Sequence, residues 1–175
     1  EVVGISKQHG PMESAYIGVG SNIGHKIDHC RRAISLMGRL EGCSVRVQSP
    51  FYRTEPVGVE GQDLYVNGVV GVDTDLSADT LLKCLLEIEA HMGRVRRKKW
   101  DARVIDLDIL LFGSRIIQKP DLIVPHPLMH LRRFVLTPML QIAPNLIHPV
   151  LCKSIRELAG SLPEDGQAVE IYERS

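Results

Sequence analysis

The chain has no net charge, few aromatic residues and no long apolar run. Its 175 residues include 21 lysines and arginines and 21 aspartates and glutamates, so the charges cancel. A zero sum gives the whole protein no attraction to nucleic acid or to a membrane surface. The apolar runs are short, as at residues 109–112, and fall far below the roughly 20 residues of a membrane span. The composition, 44% hydrophobic and 24% charged, excludes a disordered chain.

Cysteine is also scarce, and its spacing suits neither a zinc site nor a redox motif. The four cysteines, at positions 30, 43, 84 and 152, include no C-x-x-C pair. The first residues do not read as a signal peptide. We therefore expect reduced thiols and a cytoplasmic protein.

A chain of this length is expected to form one domain, since about 100–200 residues is the usual size. No repeat, low-complexity segment or long linker divides it. We expect residues 1–12 to be a flexible leader or a remnant of expression and residues 13–160 to be the domain. Residues 161–175 are rich in acidic side chains and are expected to be a solvated tail.

Apolar periodicity predicts the order β-α-β-β-α-β, followed by a hairpin and two short helices. The first strand, residues 14–19, is expected to run into a tight loop at Gly18, Gly20 and Gly24. Residues 50–62 are expected to be a long loop. The strand at 103–112 is expected to turn into a hairpin with residues 115–117. This order describes a ferredoxin-like α+β sandwich.

Three helix starts have local signals. Ser77 suits the N-cap of a helix that reaches about Met92. Pro138 suits the first position of a helix. Ser154 and Glu157 have the spacing of a capping box.

Two aspartates stand on the strand at residues 103–112. Side chains alternate with period two along a strand, so Asp106 and Asp108 share one face. The apolar residues of this strand are expected on the other face: Ile105, Leu107, Ile109 and Leu111. Adjacent carboxylates repel unless a cation lies between them, and oxygen ligands suit Mg²⁺. Metal binding is therefore favoured over two ordinary surface charges, since aspartate is depleted in strands.

A basic run, RVRRKKWDAR, occupies residues 94–103 and carries six positive side chains and one negative. Most such runs are solvated loops, but this one leads directly into the aspartate pair. A polyphosphate bound through Mg²⁺ needs carboxylates on the metal and arginine or lysine on its own oxygens. The juxtaposition therefore favours a triphosphate site.

Three further residues suggest a site. Glu89 falls inside the apolar arc of its predicted helix, where a carboxylate is rare unless paired; a structural bond and a substrate contact are equally open. His126 and Arg132 can donate to phosphate. Zinc is disfavoured at His126 and His130, because Pro127 pushes His126 out of a helix and no further ligand completes the set.

Seven segments, in order, resemble the 6-hydroxymethyl-7,8-dihydropterin pyrophosphokinase family: AYIGVGSNIG, FYRTEPVG, LYVNGVV, IEAHMGRVR, RVIDLDILLF, VPHPLMHLRRFVLTPM and IAP. The resemblance covers about residues 15–159. It implies a ferredoxin-like α+β fold. It also implies transfer of pyrophosphate from ATP to the hydroxymethyl group of a reduced pterin, with release of AMP, in folate biosynthesis.

The resemblance implies which residues contact ATP and its metal. Asp106 and Asp108 would hold two Mg²⁺ ions that bridge the triphosphate. The other residues implied at ATP are basic with one exception: Arg94, Arg96, Arg97, Arg103, Ile109, His126 and Arg132. The implied catalytic set consists of the two aspartates with Arg94, Arg96 and Arg103.

The resemblance also implies a pterin site built from aromatic, polar and backbone groups: Thr54, Val57, Tyr65, Asn67, Trp100, Asp106 and Phe134. The pterin would stack between Tyr65 and Phe134, a geometry that a flat heterocycle favours. Asn67 would offer a donor and an acceptor to its edge, and Trp100 would close over the site. Without the resemblance, the two stacking rings would be interpreted as core residues. Glu89 matches an acidic residue that is structural or orients substrate.

The main alternative is an RNA-binding module, since a ferredoxin-like sheet with a basic stretch is common in such domains. That alternative requires exposed aromatic residues on a central strand and no carboxylates nearby. Here Trp100 is the only aromatic residue of the basic run, and Asp106 and Asp108 follow it directly. A structural or interaction protein would leave the aspartates without a role. We therefore expect a monomeric enzyme whose partners are ATP and a reduced pterin, with no nucleic-acid or membrane partner.

Overall fold

The computed structural model describes residues 10–54, 64–93, 104–166 and 168–173. These residues form a mixed α/β fold with a six-stranded antiparallel sheet and a separate two-stranded one. The strands are β1 (Glu13–Ser21), β2 (Cys43–Gln48), β3 (Phe51–Thr54), β4 (Tyr65–Thr74), β5 (Asp106–Phe112), β6 (Ile117–Lys119), β7 (Leu122–Val124) and β8 (Val169–Glu173). The helices are α1 (Lys26–Gly38), α2 (Ala78–His91), α3 (Arg133–Ile142) and α4 (Ile155–Gly160), with a short 3₁₀ turn at Met129–Leu131.

The large sheet has a hydrophobic core on each face. Its strand order is β5-β1-β4-β3-β8, and β2 also pairs with β4. Helices α1 and α2 pack on one face with Ile17 and Val19 of β1, while α3 and α4 pack on the other with Val69 of β4. None of the helices in the described part of the chain has the length and apolar character needed to cross a membrane.

The alternation of side chains between the two faces of the sheet is interrupted in β5 at Leu110. Ile109 lies opposite Ile17 of β1, whereas Leu111 lies opposite Tyr16, so Leu110 is an extra residue in the ladder. The alternation correctly places Ile109 on the face of α1 and α2. Its extension to Leu111 is wrong, because the bulge moves that side chain into the core beneath α3.

Gly18 and Gly20 lie within β1 rather than in the loop predicted for them, because the strand continues to Ser21. Only Gly24 belongs to the turn before α1, where its φ of +64° suits glycine. The longer strand carries two residues without side chains into the middle of the sheet.

Two of the three predicted helix starts are confirmed. The Oγ of Ser77 accepts a hydrogen bond from the backbone N–H of Thr80 at 3.2 Å. Ser154 and Glu157 form the predicted capping box. The helix start predicted at Pro138 is wrong, because α3 begins at Arg133 and continues through the proline. Apolar residues of α3 before and after Pro138, among them the buried Leu136, pack against the sheet and hold the whole segment as one helix.

Three predictions of strands and loops are also corrected. Residues 50–62 were expected to be loop, but β3 begins there with Phe51, whose side chain is fully buried. Residue Ile117 pairs with Val124 of β7 rather than returning to β5. The expected solvated tail contains β8, in which Ile171 pairs with Tyr52. Backbone pairing explains the last difference, since β3 otherwise leaves an edge of unpaired N–H and C=O groups.

We predict that one cysteine reacts rapidly with a thiol reagent in the folded protein. Cys152 is exposed, whereas Cys30, Cys43 and Cys84 are buried. Burial raises the pKa of the Cys30 thiol to about 12 and is the main cause that raises that of Cys43 to about 11, so neither forms the reactive thiolate at about pH 8. A disulfide reagent should titrate one thiol before denaturation and four after it. Rapid reaction of two or more thiols in the native protein would contradict the packing described.

Candidate active site

One cross-strand row joins the acidic strand to the middle of the sheet. Asp106 of β5 lies opposite Gly20 of β1, and Gly20 lies opposite Asn67 of β4. Residues directly opposite each other in antiparallel strands project from the same face. Asp106 and Asn67 therefore lie on the α3 side of the sheet, with only a glycine between them.

The two aspartates share this face, as the alternation predicts. Asp106 is half-buried and Asp108 is exposed, while Leu107 between them is buried on the opposite side. Asp108 also lies opposite a glycine, Gly18 of β1. Each carboxylate thus stands opposite a residue of β1 that has no side chain of its own.

His126 is bonded to the edge strand β5 and lies near Asp108. Its backbone N–H donates to the carbonyl oxygen of Leu110 at 2.9 Å. The pKa of the imidazole lies below its ordinary 6.5, and burial is the main cause. The negative charge of Asp108 raises this pKa, whereas the positive charge of Arg132 lowers it. The backbone N–H of Leu128 donates to Nδ1 at 3.2 Å, so the neutral ring carries its proton on Nε2. His126 is thus a neutral hydrogen-bond donor close to a carboxylate.

The start of α3 brings a cation and an aromatic ring to the same region. Arg132 is the N-cap residue of α3 and has an extended backbone. Its guanidinium carbon lies 5.5 Å from the centroid of the Phe134 ring, within the range of a cation–π contact. Phe134 is partly buried against the core on this face. The region therefore combines carboxylates, a neutral imidazole, a guanidinium and an aromatic face.

The polar groups implied for the pterin lie on the neighbouring strands. Tyr65 and Asn67 project from the same face of β4, two residues apart. The Nδ2 of Asn67 donates to Oγ1 of Thr54 on β3 at 3.3 Å, and Thr54 is buried. The sequence predicts only a backbone contact at Thr54 and a turn at Gly20, whereas the structure places the Thr54 hydroxyl on Asn67 and Gly20 within β1. The alternate spacing of Gly18 and Gly20 was the available signal, because it places both on one strand face.

Two expected site residues lie on the opposite face of the sheet. Glu89 of α2 is 2% exposed, which confirms that it falls inside the apolar arc. Ile109 is buried with the same helix, so its side chain does not share the face of the aspartates. The remaining candidates lie outside the described residues: Val57, Arg94, Arg96, Arg97, Trp100 and Arg103.

The donor set fits Mg²⁺ better than a transition metal. Asp106 and Asp108 supply hard oxygen ligands, and the structure shows no group of three potential ligands among the residues it describes. Mg²⁺ is commonly held by one or two carboxylates, with water and substrate phosphates completing its coordination. Two carboxylates on one strand face suit a metal that arrives with a polyphosphate.

The model of one protein family, 7,8-dihydro-6-hydroxymethylpterin-pyrophosphokinase (HPPK), matches residues 16–144. The chain belongs to this family. Proteins named 2-amino-4-hydroxy-6-hydroxymethyldihydropteridine pyrophosphokinase are similar over most of their length. The Haemophilus influenzae protein is 41% identical over 138 residues, which cover 79% of this chain and 86% of that protein. The Methylorubrum extorquens protein is 38% identical over 155 residues, which cover 89% and 97%.

Solved structures share the fold of this HPPK family member at low sequence identity. An HPPK-DHPS in complex with substrates matches with a TM-score of 0.68 and 15% identity, over 86% of this chain and 43% of that one. The Plasmodium falciparum HPPK-DHPS with pteroate matches with a TM-score of 0.70 and 15% identity. The chain spans less than half of each of these proteins. The RNA-binding alternative has no support in these comparisons.

We predict that replacing Asp108 changes the titration of His126 in the protein without metal or nucleotide. The Asp108 charge raises the pKa of His126 against the effect of burial, so Asp108→Asn should lower that pKa further. Asp121→Asn is the control, because Asp121 is an exposed acid on the β6–β7 turn. Nitrogen NMR of the imidazole measures both. An unchanged or raised pKa in Asp108→Asn would contradict the proximity.

The same pKa predicts a pH dependence of stability. Because the pKa of His126 is lower in the folded protein than its ordinary 6.5, the unfolded chain binds more protons below that pH. The contribution of His126 to stability is therefore present above about pH 6.5 and is lost as the pH falls towards the folded value.

Proposed function

We propose that this HPPK family member transfers the diphosphate of ATP to 6-hydroxymethyl-7,8-dihydropterin on the α3 face of its sheet. The hydroxymethyl oxygen attacks the β-phosphorus, the bond from that phosphorus to the bridging α–β oxygen breaks, AMP leaves, and the hydroxyl proton passes to solvent. The chain is a pyrophosphokinase of folate biosynthesis by family membership. The observation that carries the assignment of the site is the acidic pair of β5 on the face that it shares with Asn67.

At the phosphate end, Asp106 and Asp108 are proposed to hold two Mg²⁺ ions. When bound, Mg²⁺ supplies positive charge that neutralises the triphosphate. His126 supports this assignment, since its Nε2–H is a donor that requires no positive charge on the ring. Arg132 adds a cation whose guanidinium can donate two parallel hydrogen bonds to phosphate oxygens. The proposed contacts outside the described residues are Arg94, Arg96, Arg97 and Arg103.

At the pterin end, Asn67 is proposed to contact the hydrogen-bonding edge of the ring, and Tyr65 and Phe134 its two faces. The position of Asn67 supports this, because it shares a face with Asp106 across a single strand. The pterin hydroxymethyl group could therefore approach the phosphate end without leaving the sheet surface. Thr54, Val57 and Trp100 complete the proposed pterin contacts.

Glu89 and Ile109 are proposed to act from the other side of β5. Both side chains are buried between α2 and the sheet. Glu89 is proposed to orient substrate-binding groups rather than to react. The contact of Ile109 with ATP is proposed to be made by its backbone, because its side chain is buried on the opposite face. We also propose a ferredoxin-like core, a monomer and a cytoplasmic location, which remain predictions from the sequence.

The product distinguishes this reaction from that of an ordinary kinase. We predict that the protein, given Mg²⁺, ATP and 6-hydroxymethyl-7,8-dihydropterin, forms AMP and a pterin diphosphate in equal amounts. Basic and metal-binding groups spread along a whole triphosphate can stabilise charge on both sides of the α–β bridge. Phosphorus NMR separates AMP from ADP directly. Stoichiometric ADP would overturn the proposal.

A matched pair of variants tests the role of the acidic strand. Asp108→Asn keeps the size of the side chain and removes the charge, so turnover should fall by about a hundredfold or more. Asp121→Asn removes an exposed charge elsewhere and should retain the activity of the unchanged protein. The melting temperature of each variant should be measured to check that it is folded. Equal turnover in both would refute the assignment of Asp108.

A further inference from the structure

Gly20 has no side chain at the centre of the row formed by Asp106, Gly20 and Asn67. Its backbone is ordinary β-strand, unlike that of Gly24 with its positive φ. The local conformation therefore does not require glycine. Glycine in the interior of a strand also lowers stability, so its presence here needs another explanation. Glycine within a strand often marks the close approach of another group. The group that approaches Gly20 is the side chain of Asn67.

The space above Gly20 is occupied by one atom. A Cβ built at Gly20 would lie 2.8 Å from Oδ1 of Asn67, whereas the next atoms are 3.7 Å or more away. Real Cβ atoms essentially never approach another atom so closely. The amide oxygen is the far end of a side chain that can rotate. A methyl group at position 20 would therefore displace the Asn67 amide and leave the backbone in place.

The other end of the same amide is held from the opposite strand. Nδ2 of Asn67 donates to Oγ1 of Thr54 at 3.3 Å, and Thr54 is 2% exposed. The carboxamide thus extends from a buried hydroxyl on β3 to the space that a side chain at position 20 would fill. Both neighbours determine which way its donor and acceptor point.

We propose that Gly20 is a positioning residue for the pterin, because its missing side chain allows the Asn67 amide to lie across β1 in the orientation that the substrate requires. The inference rests on the proposed pterin contact of Asn67. The new element is that Gly20 affects the affinity for the pterin without having to contact the pterin itself. The nearest atoms to a Cβ at Gly20 belong to Asn67 and Val66, so binding of the metal–nucleotide should not depend on this position.

Gly18 offers a matched control on the same strand and the same face. A Cβ at Gly18 would meet only Leu110, at 3.7 Å, among its nearest neighbours. That distance is ordinary van der Waals contact, so Gly18→Ala adds the same methyl group without displacing a polar side chain. The two variants differ in what the methyl group meets.

The experiment is a double-mutant cycle on pterin binding. Calorimetry measures the Kd of 6-hydroxymethyl-7,8-dihydropterin in the presence of Mg²⁺ and an ATP analogue with a methylene group between the α- and β-phosphates. We expect Gly20→Ala and Asn67→Ala each to weaken pterin binding about tenfold, the cost of about one hydrogen bond. The double variant should bind no more weakly than Asn67→Ala alone, because Gly20 acts through Asn67. Gly18→Ala should bind as the unchanged protein does.

The remaining readouts separate positioning from damage to the fold. Gly20→Ala should keep the melting temperature within a few degrees and should bind the nucleotide analogue as before. Loss of folding in Gly20→Ala, unchanged pterin binding in it, or effects that add in the double variant would overturn the inference. Unchanged pterin binding in Asn67→Ala would instead overturn the proposed contact of Asn67, on which the inference rests.

Discussion

The register between β5, β1 and β4 is the constraint on which the site depends. It places Asp106, Gly20 and Asn67 in one row, so the acidic group and the amide project from the same face with a short gap between them. A slip of one residue in either ladder would turn one partner to the opposite face. The apolar residues of β1 and β4 oppose such a slip, since each face of the sheet has its own buried core.

The two cores also explain why the polar groups collect at one place. Helices α1 and α2 cover one face, and α3 and α4 cover the other. Arg132 and Phe134 stand at the start of α3. Here the hydrophobic packing of α3 on the sheet ends, and the polar residues Asp108 and His126 begin. The backbone of His126 is tied to β5, which keeps its ring near Asp108. A compact apolar core thus ends in a set of groups suited to an anionic, partly aromatic ligand.

The charged groups in this region have opposite signs. The carboxylates of β5 require cations nearby, and Arg132 brings a positive charge close to His126, which also lies near Asp108. His126 adds a donor at Nε2, since the backbone N–H of Leu128 occupies Nδ1 and burial lowers the pKa of the ring. In the proposed reaction, a phosphate would meet hydrogen-bond donors directly and would meet the aspartates only through a metal.

Much of the site could be predicted because its signals are local. Strand alternation placed Asp106 and Asp108 together, and helical spacing placed Glu89 in the core. What failed depends on contacts between distant segments. The bulge at Leu110, the pairing of β8 with β3 and the close approach of Asn67 to Gly20 have no signature within a short window. Pro138 shows the same limit, because tertiary packing outweighs its preference for a helix start.

The most direct test of the account is where the metal–nucleotide binds. Mn²⁺ can replace Mg²⁺ beside a non-hydrolysable ATP analogue, and its unpaired electrons broaden the NMR signals of nearby nuclei. We predict the strongest broadening at Gly18, Asp108 and His126, with little at Asp121, the exposed acid on the β6–β7 turn. Broadening centred on Asp121, with sharp signals from β1 and β5, would contradict this assignment.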